Sequence, residues 1–203
     1  MNITALHPWN HAFNWINAAP RSGFLTESQI DSYNLNGYFV AEDVIAIDQI
    51  ENLTVELDKL SKETDGFLKT LENDRLSIAE SGAIIFGIHP CVHYELAREF
   101  VSNEPFTHIV HDLIGPNVRL YWDQIVYKQT EKPRRFPWHQ DNGYGFVEPQ
   151  QYLTCWVPLV DVTIENGCPW IVPKVHKLGT LHHKYMEPLG YECFTDHPES
   201  IPV

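Results

Sequence analysis

At 203 residues the chain can fill one hydrophobic core and is short for two, and its 43% hydrophobic and 20% charged content is that of a globular domain. A formal net charge of −13 excludes nucleic acid and anionic membrane as main partners, because both require clustered Lys and Arg. No apolar run reaches the ~18–20 residues of a transmembrane helix, and the N-terminus lacks a basic segment followed by an apolar one; the expectation is a cytoplasmic protein with reduced thiols.

Neither repeats nor linkers interrupt the sequence, so a single domain over 1–203 is expected, with an irregular extension at 1–24 whose aromatic side chains pack onto it. "LTESQIDSYNLNGYFV" predicts a capped helix, with Thr26 as N-cap, Gln29 three residues on, and Gly37 at the end. "AIDQIENLTVELDKLSKE" places Ile47, Ile50, Leu53, Leu57 and Leu60 at helical spacing. Shorter helices are expected at 92–102 and 104–114, stopping at Gly115-Pro116. Three strands follow from β-branched and aromatic content: "NVRLYWDQIVYKQ", "QYLTCWVPLVDV" and "CPWIVPKV". Helices first and strands later imply an α+β fold, with the helices against an antiparallel sheet or barrel. Pro158, Pro169 and Pro173 belong at strand ends, edges or bulges. The four cysteines show no CxxC spacing, which argues against structural zinc, and Cys155 and Cys168 are read as core.

The stretch with chemical content is "RRFPWHQDNGYGF", residues 134–146. On a strand, residues i and i+2 share a side, so His139 and Asp141 can reach one ion as two-thirds of a two-His-one-carboxylate site. Such a pair is cheap in a chain with 11 histidines. His93/Glu95 falls on a predicted helix and is read as surface; His197/Glu199 lies in a Pro-flanked tail and is read as solvated loop. Lys128, Lys132, Arg134 and Arg135 precede the motif, either attracting an anion to the site mouth or forming a solvated loop. Trp138, Tyr144 and Phe146 wall a cavity or belong to the core, and Asp161 and Glu165 are turn formers.

The order of "GYFV", "HQD", "ENGC" and "VPKVHK" over roughly residues 25–183 resembles the phytanoyl-CoA dioxygenase family of Fe(II)/2-oxoglutarate oxygenases. The resemblance implies a double-stranded β-helix (a cupin-like jelly-roll, mainly β) with N-terminal helices. It implies that His139 and Asp141 are iron ligands, that Trp156 lines the co-substrate pocket, and that Gln124 and Lys128 face it from the preceding strand. Retention of Asp141 favours hydroxylation over halogenation. The implied reaction hydroxylates a small organic or acyl-type substrate, consuming O₂ and 2-oxoglutarate and releasing succinate and CO₂.

The family's third ligand is a downstream histidine after a Gly-Asp strand, followed by an Arg for 2-oxoglutarate. This sequence has neither that segment nor any arginine after Arg135. The expectation is a fragment lacking the closing strands, with the third ligand beyond Val203, weak iron binding, and inactivity as an isolated chain. His176, in the turn "VPKVHK", is a substitute ligand at low odds against a hydrogen-bonded or surface role; His182 and His183 are read as exposed. Two alternatives remain open: a non-catalytic jelly-roll binding module that lacks the third ligand, and a cupin-type metalloenzyme of another reaction class.

Overall fold

The computed structural model describes residues 3–19, 22–129 and 132–203. Helix α1 (Glu27–Asn36) begins in a capping box: the Thr26 hydroxyl accepts from the Gln29 N–H while the Gln29 side chain accepts from the Thr26 N–H. It ends at Gly37, whose φ of 91° is the left-handed conformation that favours glycine. Helix α2 (Ile47–Leu68) outruns its predicted end by a turn and buries Ile50, Leu53, Leu57 and Leu68, whereas Ile47 lies in solvent. Helices α3 (Pro90–His93), α4 (Glu95–Ser102) and α5 (Phe106–Ile114) fill the two predicted helical stretches, and α5 stops at Gly115.

Strands β1 (Arg75–Leu76), β2 (Ala79–Glu80), β3 (Ile84–Ile88) and β4 (Gln124–Lys128) form one antiparallel sheet in that order. In the β3–β4 register Ile84 faces Lys128, Phe86 faces Val126 and Ile88 faces Gln124. Alternation therefore places Ile85, Gly87, Ile125 and Tyr127 on the opposite face, which α2 covers. A Cβ at Gly87 would collide with Ile125 and Leu60, so glycine there lets helix and sheet approach. Tyr127 donates to Asp58 of α2 at 2.7 Å across the same contact. Leu53, Leu57, Cys91, Ala97 and Ile125 make the core between them.

Two short antiparallel pairs complete the fold: β5 (Trp170–Ile171) with β8 (Ile201–Pro202), and β6 (Lys184–Met186) with β7 (Gly190–Glu192). The architecture is thus mixed helices with antiparallel sheets, and among the described residues no barrel closes. The expected strand at 117–129 survives only as β4, that at 168–175 only as β5, and 151–162 contains none. A strand exists only where a partner supplies its hydrogen bonds, and for 151–162 none runs alongside among the described residues; Pro158 removes a donor besides. Cys155, expected in the core, is exposed on this unpaired stretch, while Cys168 is buried.

Parts of the described N-terminal segment pack onto the rest of the fold. Trp15 lies against Tyr33 of α1, at 5.3 Å between rings. Residues 3–7 run beside the C-terminal part: Thr4 N–H donates to the Cys193 carbonyl, His182 N–H to Ala5, and His7 N–H to Thr180. Buried Asp112 of α5 accepts from the backbone of Ser22, Phe24 and Leu25, fixing the entry to α1. No helix among the described residues is long and apolar enough to cross a membrane.

Candidate metal centre

His139 and Asp141 come together, with Nε2 and Oδ1 3.3 Å apart. The pair lies on irregular backbone entering a 3₁₀ turn at Asp141–Gly143, not on the expected strand. His139 Nδ1 is 2.8 Å from the Pro137 carbonyl, which can only accept, so Nδ1 carries a proton and Nε2 is turned toward the carboxylate. Asp141 Oδ2 accepts from the Thr154 hydroxyl at 2.9 Å, leaving Oδ1 for His139. Burial alone would lower the pKa of His139; the Asp141 carboxylate, the Pro137 carbonyl and the charge of Glu192 outweigh it and raise the pKa. Asp141 is held below the usual carboxylate range, first by its hydrogen bond to His139, against burial, with the charge of His139 and Thr154 adding. A proton shared in this way is what a metal ion must displace.

The donor set suits a divalent ion on two points. Ligands at right angles with bonds near ~2.1 Å lie about 3 Å apart, close to the observed separation. One nitrogen and one carboxylate oxygen are the donor types an oxygen-activating iron prefers. Among the described residues, however, no group of three or more His, Cys, Asp or Glu side chains is arranged to hold a metal ion.

His176 sits elsewhere. Its ring meets Trp15 edge-on at 4.4 Å, and its Nε2 faces the Asn34 carbonyl at 3.2 Å. A Cβ on Gly37 would strike that ring, so the Val175–Leu178 turn is docked on the end of α1. His183, expected to be exposed, is buried, and its Nε2 accepts from the N–H of Gln140, the residue between the two candidate ligands. Its burial follows from tertiary packing under residues 3–7 and 140–143, which no local pattern announces. His93, Glu95, His197 and Glu199 lie in solvent, as read.

The aromatic candidates divide. Tyr144 stands edge-on to His139 at 5.4 Å and to Tyr191 at 5.3 Å, so it walls the pair. Trp138 packs instead with Val175, Leu181, Cys193 and Phe194, and Phe146 stacks on His7 at 4.8 Å. Burial, with the nearby charge of Asp141, pushes the phenols of Tyr144 and Tyr152 up to about 12, so both remain neutral. Phe136 lies 5.1 Å from His139 on another side and carries the Lys128 ammonium 5.7 Å above its ring. Lys128 also donates to the Gly167 carbonyl at 3.3 Å, and burial lowers its pKa. Gln124, on the same face of β4, accepts from Trp122 Nε1 at 3.0 Å. Trp156 is half exposed, two residues beyond Thr154.

Three of the four cations of the basic stretch hold buried carboxylates while staying partly exposed. Lys132 and Arg134, with Arg75 from β1, all pair with the buried carboxylate of Glu80, and Arg135 pairs with buried Glu192. Glu192 also accepts the Trp138 N–H at 2.9 Å. These cations therefore anchor the approach to the site. Sequence reasoning also missed a belt of amides behind the turn. Gln140 donates to the Gly179 carbonyl at 3.0 Å and accepts from Leu181 N–H at 2.7 Å. Asn142 donates to Thr180, Thr180 to Gln150, and Gln150 to Asn10. No local pattern announces this belt, because the backbone here is irregular and the partners lie far off in sequence, Gln150 being 30 residues from Thr180 and 140 from Asn10.

The structure thus sets helices against an antiparallel sheet and brings one His-x-Asp pair together. The model of the phytanoyl-CoA dioxygenase family matches residues 33–199, and the chain belongs to that family, which implies a cupin-like fold. It is 24% identical over 195 residues to a phytanoyl-CoA dioxygenase of Arabidopsis thaliana, covering 78% of this chain and 67% of that protein. It is 26% identical over 166 residues to a methylphosphonate hydroxylase of Gimesia maris, covering 78% of this chain and 60% of the relative. An ectoine dioxygenase of Sphingopyxis alaskensis is 23% identical over 181 residues, covering 85% and 55%. No solved structure shows a significant match.

Proposed function

We propose that the chain is an Fe(II)- and 2-oxoglutarate-dependent dioxygenase that hydroxylates a small organic or acyl-type substrate. The observation that carries this reading is the 3.3 Å approach of His139 Nε2 to Asp141 Oδ1, each with its other polar atom already engaged. His139 and Asp141 would hold the iron. When bound, it supplies oxidation of an unactivated C–H bond, with O₂ and 2-oxoglutarate consumed and succinate and CO₂ released. The protein's part is geometry. Pro137 fixes the tautomer and tilt of the imidazole, and Thr154 fixes the rotamer of the carboxylate. Tyr144 and Phe136 flank the His139 ring and, as neutral rings, add no competing charge. Gln124, Lys128 and Trp156 are proposed to line the co-substrate pocket, Lys128 being tied to the pair through Phe136.

The test is succinate formation from 2-oxoglutarate with added Fe(II) across a panel of acyl thioesters, phosphonates and zwitterionic osmolytes. In a form of the protein that also supplies a third ligand, turnover that needs both Fe(II) and one substrate class is expected, with His139→Ala and Asp141→Ala both inactive. Near-normal turnover in either variant would sink the assignment. The absence of a three-residue metal group among the described residues favours a second reading, a non-catalytic binding module. That reading predicts ligand binding with no succinate under any condition.

A further inference from the structure

We propose that His183 is the positioning residue of the candidate metal pair, holding the backbone between His139 and Asp141 through a neutral imidazole of fixed tautomer. The proposal rests on reading that pair as metal ligands. Its hydrogen bonds leave the tautomer no choice. Nε2 is 2.8 Å from the Gln140 N–H, which can only donate, so Nε2 must present a lone pair. Nδ1 is 2.9 Å from the Leu181 carbonyl, which can only accept, so Nδ1 must carry the hydrogen. The ring is therefore a spacer of set length and polarity between residue 181 and the centre of the His-x-Asp motif.

Sterics fix the same ring from the turn's far side. A Cβ built on Gly143 would lie 2.0–2.4 Å from three ring atoms of His183, so the 3₁₀ turn and the imidazole occupy one space. Gln140 doubles the attachment, since its side-chain amide clasps the backbone of Gly179 and Leu181 on the same segment. Tyr144 closes the remaining side, lying 6.4 Å from the His183 ring and 5.4 Å from that of His139. His183 is thus committed as an acceptor to backbone and does not offer that nitrogen to an ion. It acts on the ligands only through the peptide units of Gln140.

Two isosteres separate this role from simple packing. In His183→Gln the side-chain oxygen can take the place of Nε2 and accept from Gln140; in His183→Asn the amide nitrogen can take the place of Nδ1, but nothing reaches Gln140. Co(II) affinity, followed by titration calorimetry and by the visible spectrum of the bound ion, should fall about 10–100-fold in His183→Asn, the range for lost outer hydrogen bonds. In His183→Gln it should stay within a few-fold of the parent. Amide exchange at Gln140 should quicken only in the Asn variant, a readout that needs no metal, and thermal unfolding shows that both variants fold. Equal affinity and equal Gln140 protection in the two variants would overturn the proposal. If His139→Ala abolishes Co(II) binding while His183→Asn leaves it intact, the positioning role alone fails. If His139→Ala binds Co(II) as the parent does, the metal reading fails and takes the proposal with it.

Discussion

At the scale of single residues, the histidines here divide by what faces them. His139 is drawn toward its charged form by Asp141 and Glu192, whereas His183 and His176 are kept neutral, in each case by burial first. The signs for stability differ accordingly. A histidine with a lowered folded pKa binds fewer protons folded than unfolded, so its stability is present above the unfolded value near ~6.5 and is lost as pH falls below it. The raised His139 acts the other way, contributing most at low pH and losing that contribution as pH rises through its folded value. In a His139→Ala background, denaturant unfolding should therefore show lower stability at pH 5.5 than at pH 7.5. Adding His183→Gln should shrink that difference. An unchanged pH slope would mean that His183 titrates normally.

At the scale of elements, Gly37 carries a prediction of its own. It combines a positive φ with the ring of His176 where a Cβ would go. Gly37→Ala should cost about 1–3 kcal/mol by chemical denaturation, more than backbone strain alone explains, because the docked Val175–Leu178 turn must also shift. Leu57→Ala, inside the α2–sheet core, should cost about 2–5 kcal/mol. The helices were legible in the sequence because their determinants are local: the Thr26/Gln29 box, Gly37, and the spacing of Ile50, Leu53 and Leu57. The strands were less so, since β-branched and aromatic content reports a tendency to extend and not the presence of a neighbour. Residues 151–162 have the composition of a strand and stay unpaired. The His139–Asp141 pair was singled out by its spacing together with the family resemblance of its flanks, but the groups that support it were not legible. His183, Gln140 and Thr154 matter through partners 13 to 43 residues away, and no short pattern encodes such a distance.

At the scale of the whole molecule, the charge carriers are organised more than the net value of −13 suggests. Glu80 gathers Arg75, Lys132 and Arg134 and so ties the first sheet to the approach to residue 139. Because these cations keep part of their surface in water, Glu80→Gln should destabilise by about 1–3 kcal/mol, below the cost of breaking a fully buried pair. The loss should show as a lower denaturation midpoint that salt does little to mimic. The amide belt has a different consequence. Asn10, Gln150, Thr180 and Asn142 join the segment ending at Asn10 to the turn that begins at Asp141 without any shared strand or helix. Segments so joined open and close together, as one foldon with a single opening free energy. The start of the chain is then a tether for the candidate metal pair, and loosening it by Thr4→Pro should be felt at Asp141 as clearly as at residue 4.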